Sequence, residues 1–165
     1  MVYNLPETAG SLATGGIKGG FMAREQFIGS WKLLSSEYRY DNGEVFYPMG
    51  RQVRGRIMYD TKGYMSVQHM AANRPPFASG DWLKGTPEEI KSAFESYRAY
   101  YGTYDVDEGK SIVTHHIEAG SMPNFAGTDF FRHFEFSGNR LTLKSTPMLM
   151  GGRYATACLI WEKLG

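Results

Sequence analysis

Three residues, Tyr104, His115 and Arg132, are of the side-chain types needed for acid–base chemistry on a carbonyl compound. A neutral imidazole exchanges a proton near physiological pH, so His115 is the candidate acid–base group. An arginine and a phenol can polarise a carbonyl or stabilise an enolate. Each residue also has a structural alternative. His115 can bond a neighbouring strand, Arg132 can bond loop carbonyls, and Tyr104 can be a packed aromatic. The sequence therefore predicts a candidate catalytic set and leaves both interpretations open.

Alternating apolar residues predict which side chains point inward. Successive side chains of a strand lie on opposite faces. Phe130 and Phe134 therefore share the face of Arg132, and Met65 shares the face of His69. Such an interior suits a small, largely apolar ligand with one or two polar atoms. The residues predicted to contact this ligand are Met65, His69, Tyr64, Tyr101, Phe130, Phe134 and Trp161.

The segment 112–119 carries two adjacent histidines, His115 and His116. By alternation, His115 shares the inward face with Val113, Ile117 and Ala119, whereas His116 points the other way. One metal ion cannot readily take both histidines, and the sequence contains no His-x-His or His-Glu-x-x-His spacing. We therefore predict no metal and no cofactor. A haem held by His69 or His115 alone is a weaker alternative.

Short aromatic and β-branched segments must position these residues. The segments alternate with turn signals from Phe27 onward, and Asn42-Gly43 is a strong hairpin signal. Closely spaced strands without repeated helices predict an all-β fold, an antiparallel barrel of eight to nine strands with one inserted helix. The predicted strands are Trp31–Tyr40, Val45–Tyr47, Gly55–Tyr59, Tyr64–Met70, Gly102–Val106, Ile112–Ala119, Asp129–Phe136, Leu141–Ser145 and Tyr154–Trp161.

The inserted helix begins at a capping box, Thr86-Pro87-Glu88-Glu89. Ile90, Ala93, Phe94 and Tyr97 fall on one helical stripe, which predicts packing of that face onto the barrel. A long loop, residues 73–85, precedes the helix. Loop and helix together are predicted to close one mouth of the barrel.

Size and composition indicate one globular domain. The chain has 165 residues, of which 42% are hydrophobic and 15% aromatic, so a packed core is expected. The net charge of +1, without a basic patch, argues against nucleic acid, and no apolar run has membrane-spanning length. The glycine-rich residues 1–24 are predicted to be a flexible arm without signal-peptide features, and residues 25–165 the barrel domain. The single cysteine, Cys158, favours a cytoplasmic location, and a homodimer is a further prediction.

The ordered motifs of the chain resemble those of the lipocalin-like domain family of bacteria and fungi, a group of calycin-type small barrels. The resemblance covers nearly all of residues 27–163 and implies a lipocalin-like barrel, but no particular reaction. True lipocalins are less similar, since they carry a disulfide and a signal peptide and lack the insertion at residues 75–97. The motifs that carry the resemblance are Gly29-Ser30-Trp31, Gly63-Tyr64-Met65-Ser66, Arg74 to Asp81, Gly85 to Glu89, Tyr101 to Tyr104, His115 to Glu118, Pro123-Asn124 and Gly127-Thr128.

Three functions follow from these observations. The first is a cofactor-independent cyclase or isomerase of natural-product metabolism, which needs a dry cavity and a few hydrogen-bonding groups. The second is a non-catalytic protein that binds a small hydrophobic or aromatic metabolite. The third is a filled barrel with a structural or partner-binding role. An open cavity with His115 on its wall favours catalysis, whereas a completely filled core excludes both catalysis and binding.

Overall fold

The computed structural model describes residues 22–165, so the predicted flexible arm lies almost wholly outside the described residues. The described part begins with a five-residue helix that the sequence patterns do not predict. Its elements are α1 (Ala23–Phe27), β1 (Gly29–Tyr40), β2 (Val45–Phe46), β3 (Val53–Tyr59), β4 (Tyr64–Ala71), α2 (Pro87–Glu95), β5 (Tyr97–Asp107), β6 (Ile112–Gly120), a 3-10 turn (Pro123–Phe125), β7 (Asp129–Ser137), β8 (Arg140–Ser145), β9 (Met148–Met150) and β10 (Arg153–Lys163).

The strands form one antiparallel sheet that closes on itself. Its order is β2-β1-β3-β4-β5-β6-β7-β8-β10-β9, and β1 also pairs with β10 over most of its length. Eight strands therefore form the barrel, while the short strands β2 and β9 extend the sheet beside β1 and β10. The predicted antiparallel barrel with one inserted helix is confirmed. Closure gives each of the eight barrel strands a neighbour on both sides over at least part of its length.

The N-terminal end of β1 lies at a tightly packed end of the barrel. Gly29 has φ of +120°, a conformation that favours glycine, and it lets the chain turn from α1 into β1. The indole of Trp31 donates a hydrogen bond of 2.7 Å to the carbonyl of Phe27. Phe27 is fully buried and packs edge-on against Tyr59 and Phe134. Helix α1 thus covers this end with aromatic side chains, which leaves no ligand space there.

Helix α2 comes after β4 in the chain and lies at the end of the barrel away from Trp31. The predicted capping box is present, since Thr86 Oγ1 accepts from the Glu89 amide and the Glu89 carboxylate accepts from the Thr86 amide. Ile90 and Phe94, however, are 52% and 44% exposed, so the predicted apolar stripe is buried less than expected. The loop before the helix is also open to solvent, with Trp82 86% exposed.

Two β-bulges change the inward-facing residues along their strands. In β1 the register shifts between Leu33 and Ser35, so Tyr38 pairs with the inward-facing Ala157 of β10. In β6 the register shifts so that Ile117 pairs with Gly102 and Ala119 pairs with the exposed Tyr101. The prediction that Ala119 faces inward with His115 is therefore wrong, because the bulge turns the rest of the strand over.

Candidate ligand-binding cavity

An open cavity of about 350 Å³ occupies the end of the barrel opposite Trp31. This volume lies within the range of small-molecule pockets, roughly 300–1,000 Å³. The barrel is therefore not filled by its own side chains. The lining residues are Tyr38, Ile57, Val67, His69, Arg98, Tyr100, Met122, Phe125, Asp129, Phe130, Arg132, Leu143, Thr146, Met148, Leu149, Met150, Ala157, Leu159 and Trp161.

Aromatic rings form one wall of the cavity. Tyr100 meets Phe130 edge-to-face at 5.4 Å and Phe125 at 6.1 Å, and the two phenylalanines lie 5.0 Å apart. This arrangement holds three rings in fixed orientations beside the ligand space. Three methionines, Met122, Met148 and Met150, line the cavity from the 3-10 turn region and β9. Their unbranched side chains adapt readily to the shape of a bound molecule.

Two buried nitrogen atoms of the cavity wall have no hydrogen-bond partner within residues 22–165. They are Nδ1 of His69 and Nε1 of Trp161, in side chains that are 6% and 1% exposed. An unsatisfied buried polar atom costs about 1–3 kcal/mol. The indole N–H is a donor only, so it needs an acceptor such as a carbonyl oxygen. Both nitrogen atoms have almost no accessible surface, so they lie behind the surface of the cavity wall.

Gly55 makes room between strands beside His69. The residue pairs with His69 across β3 and β4. A Cβ atom at this position would lie 2.9 Å from the His69 Cβ and 3.0 Å from the Leu33 Cβ, closer than ordinary van der Waals contact. The glycine therefore permits the close approach that brings the imidazole to the cavity wall.

His69 is uncharged at neutral pH. Burial, together with the positive charges of Arg98 and Arg132, lowers its pKa from 6.5 to about 4. A neutral imidazole carries one donor and one acceptor nitrogen, so the ring can bond either kind of ligand atom. The wall at this position is polar without being charged.

Two arginines supply positive charge to the cavity. Arg132 lies 5.0 Å from the centre of the Phe130 ring and makes a long hydrogen bond, 3.4 Å, to the Phe131 carbonyl. Arg98 donates to the carbonyl oxygens of Phe94 and Tyr97 at 3.0 and 2.7 Å, which ties the last turn of α2 to β5. Within residues 22–165, neither arginine forms an ion pair with a carboxylate.

The phenols nearest to Arg132 are protonated. Burial raises the pKa of Tyr38 and of Tyr100, and the Arg132 guanidinium opposes part of each rise. Both hydroxyl groups therefore keep their protons at neutral pH, and that of Tyr100 bonds His115.

His115 does not line the cavity. It is fully buried, with the Tyr59 hydroxyl 2.8 Å from Nε2 and the Tyr100 hydroxyl 3.1 Å from Nδ1. A neutral imidazole has one N–H, so one tyrosine donates to the ring and the other accepts from it. Burial, aided by Arg132, holds the His115 pKa well below its usual range. This geometry matches the structural alternative for His115, in which the histidine bonds residues of neighbouring strands.

Four of the ten predicted site residues line the cavity: His69, Phe130, Arg132 and Trp161. Met65 is buried in the core, and Phe134 packs on Phe27 at the closed end. Tyr104 donates its hydroxyl proton to the Asp60 carbonyl at 2.9 Å, away from the cavity. Tyr64 and Tyr101 are 57% and 52% exposed and point outward, because they alternate with inward-facing neighbours.

His116 lies on the outer face, as the alternation predicts. Its two ring nitrogens lie 2.7 Å from an Asp129 oxygen and 3.0 Å from an Asp105 oxygen. The hydrogen bond to Asp129 raises the pKa of His116, and Asp105 contributes to the rise. Asp129 also lines the cavity, and His116 contacts its carboxylate from the outer face of the barrel.

Several lining residues were missed by sequence reasoning. Tyr38 faces inward because of the bulge in β1, and the alternation of the sequence alone does not place it there. Tyr100 and Arg98 precede the predicted start of β5 at Gly102. Extending the alternation back from Gly102 and Tyr104 would have found Tyr100, whereas Met148 and Met150 lie in the three-residue strand β9, which carries no periodic signal.

The chain folds into a closed antiparallel β-barrel that contains an open cavity. The family model described as a lipocalin-like domain matches residues 28–164, and the chain belongs to this family. A relative from Aspergillus oryzae, named 4'-hydroxy-3'-methoxypropiophenone carrier protein, is 33% identical over 107 residues, which cover 61% of this chain and 96% of the relative.

Two solved structures are also similar. A lipocalin-like protein from Bacteroides uniformis aligns with a TM-score of 0.41 and 13% identity, covering 84% of this chain and 99% of that chain. Fatty-acid-binding protein 1 from Echinococcus granulosus aligns with a TM-score of 0.39 and 14% identity, covering 86% of this chain and 99% of that chain. In residues 22–165, no helix is both long and apolar enough to cross a bilayer.

Proposed function

We propose that this protein binds and carries a small aromatic molecule that bears at least one hydrogen-bond-accepting oxygen. The observation that carries the proposal is the cavity of about 350 Å³, which is lined by aromatic and apolar side chains together with the polar groups of His69 and Arg132. Apolar and aromatic walls supply affinity by burial, and the few polar atoms supply orientation. The Aspergillus relative, named as a carrier of a hydroxylated aryl ketone, supports the same ligand class.

A cofactor-independent cyclase or isomerase is the second candidate. The observation that favours it is that Arg132 and His69 line the same cavity, where a cation could polarise a bound carbonyl. The predicted proton carrier, His115, lies behind Tyr100, and Tyr104 bonds the Asp60 carbonyl instead. The residues predicted to do the chemistry are thus separated, and binding without chemistry is the better-supported function.

Titration calorimetry with 4'-hydroxy-3'-methoxypropiophenone tests the proposal. Leu159→Trp fills part of the cavity and should weaken binding at least tenfold. The matched control is Ile160→Trp, which places the same side chain on the adjacent position of β10, outside the cavity lining, and should bind like the wild type. Chromatography of the released ligand separates the two candidates, because a carrier returns it unchanged. Absence of saturable binding by this ligand and by a panel of related aryl ketones would overturn the proposal.

A further inference from the structure

We infer that the cavity binds an acidic phenol in its ionised form, with the phenolate oxygen beside Arg132. This inference rests on the proposed function and names the chemical class of the ligand more closely. A phenol that carries an acyl group in the para position belongs to this class, because the carbonyl withdraws electron density and makes such a phenol more acidic than tyrosine.

The charges around the cavity favour an anion. Its lining residues include two arginines, Arg98 and Arg132, and one carboxylate, Asp129. Asp129 bonds His116 at 2.7 Å on the outer face, and His116 also lies 3.0 Å from Asp105. Within residues 22–165 neither Arg98 nor Arg132 pairs with a carboxylate; both bond carbonyl oxygens, and Arg132 also interacts with the Tyr100 hydroxyl. A guanidinium facing an apolar cavity without a counter-ion is costly, and a bound anion would remove that cost.

The remaining titratable groups of the lining do not oppose this arrangement. β1 contributes Tyr38, β4 contributes His69 and β5 contributes Tyr100 beside Arg98, whereas β3, β8 and β10 contribute apolar residues and Thr146 follows β8. The two phenols are protonated at neutral pH, because burial raises their pKa values. His69 is neutral there, since its pKa is lowered to about 4. The potential at the ligand is therefore set mainly by the arginines.

Arg132 and Trp161 lie at different depths along the barrel. Across the sheet, Arg132 pairs with Ser145 of β8, and Trp161 pairs with Leu141 of the same strand. These β8 positions are separated by four residues, roughly 13 Å of strand. An elongated aromatic ligand with an ionised oxygen at its Arg132 end suits this layout. The proton released on ionisation leaves to solvent through the open end.

The test is a spectrophotometric titration of the bound ligand. Ionisation of a para-acyl phenol moves its absorption to longer wavelength than that of tyrosine, so the pKa of 4'-hydroxy-3'-methoxypropiophenone can be measured free and with saturating protein. We expect the pKa of the bound ligand to fall by at least one unit. Its 4'-O-methyl ether, which cannot ionise, should bind at least fivefold more weakly above the pKa of the free phenol.

Variants of Arg132 test whether this arginine causes the shift in the pKa of the ligand. Arg132→Gln should abolish at least half of the pKa shift, and Arg132→Lys should retain most of it. The matched control, Arg56→Gln, removes an exposed arginine of β3 and should leave the shift unchanged. Saturable binding with an unchanged or raised ligand pKa would overturn this inference and leave the carrier function standing. No saturable binding of the phenol or its ether would instead overturn both. The wild-type titration alone decides the question if Arg132→Gln does not fold.

Discussion

Tyr100 separates His115 from the cavity. Its hydroxyl lies 3.1 Å from Nδ1 of the histidine, while its ring packs edge-on against Phe130 on the cavity wall. Together with Tyr59 on the other ring nitrogen, this contact satisfies both nitrogens of a fully buried imidazole. The histidine most suggestive of catalysis in the sequence therefore acts as a polar link inside the core.

Replacing His115 should mainly affect stability. His115→Ala would leave a cavity and remove the partner of both tyrosine hydroxyls, so the free energy of unfolding should fall by about 2–4 kcal/mol. Urea denaturation measures the change. The matched variant, His133→Ala, removes an exposed histidine and should change stability by no more than about 0.5 kcal/mol. Equal effects of the two variants would contradict the structural role.

The buried His69 should make the protein less stable in acid. Its folded-state pKa of about 4 lies below the ordinary value of 6.5, so between these values only the unfolded chain binds the proton. Stability from this group is present above pH of about 6.5 and is lost as pH falls toward about 4, by roughly 3 kcal/mol.

His69→Phe should therefore reduce the drop in unfolding free energy measured between about pH 7 and about pH 4.5. Part of the drop should remain, because the lowered pKa of His115 acts in the same direction. His133→Gln serves as the exposed control and should keep the wild-type pH dependence. An unchanged acid response in His69→Phe would refute the assignment.

Gly102 should tolerate no side chain. A Cβ atom there would overlap the His116 carbonyl oxygen, which the bulge in β6 brings close to β5. Gly102→Ala should lower the free energy of unfolding by about 1–3 kcal/mol, because the backbone of one strand must shift. Gly109→Ala is the control, since its Cβ would find its nearest neighbour at 3.5 Å. Thermal or urea unfolding of both variants provides the comparison.

Ligand binding should be visible in the fluorescence of Trp161. This indole lines the cavity, whereas Trp31 lies at the closed end and Trp82 is 86% exposed on a loop. A bound aromatic ketone should quench the emission, and Trp161→Phe should remove most of the quenching. Trp82→Phe should retain it. Quenching that disappears with Trp82 would place the ligand outside the barrel.

Much of the fold was predictable because its signals are local. Alternation located eight barrel strands, Asn42-Gly43 marked a hairpin, and the Thr86 capping box marked α2. Helix α1 and strand β9 were missed, since five and three residues are too short to show a period. The degree to which the apolar face of α2 is buried was also overestimated. A helical stripe shows which residues can pack together, but it does not show how closely the barrel approaches them.

The site was predictable only in part. Strand parity brought His69, Phe130, Arg132 and Trp161 inward, and all four line the cavity. Parity gives the face of a residue but not its depth, so Met65 and Phe134 lie inward yet below the ligand space. Parity counted along the sequence also does not detect a β-bulge. It therefore failed to predict that Tyr38 faces inward, and it wrongly predicted that Ala119 does.

The sequence by itself determined the strand order along the chain, the capped helix and the mixture of aromatic and polar side chains inside the barrel. These depend on turn chemistry and on side-chain period, both of which are local. Only the tertiary structure decided that Tyr100 covers His115, that one buried nitrogen each of Trp161 and His69 has no partner within residues 22–165, and that two arginines line one cavity. The physical reason is that bulges and the stagger of a closed sheet set the depth of each residue, and both arise from pairing between distant strands.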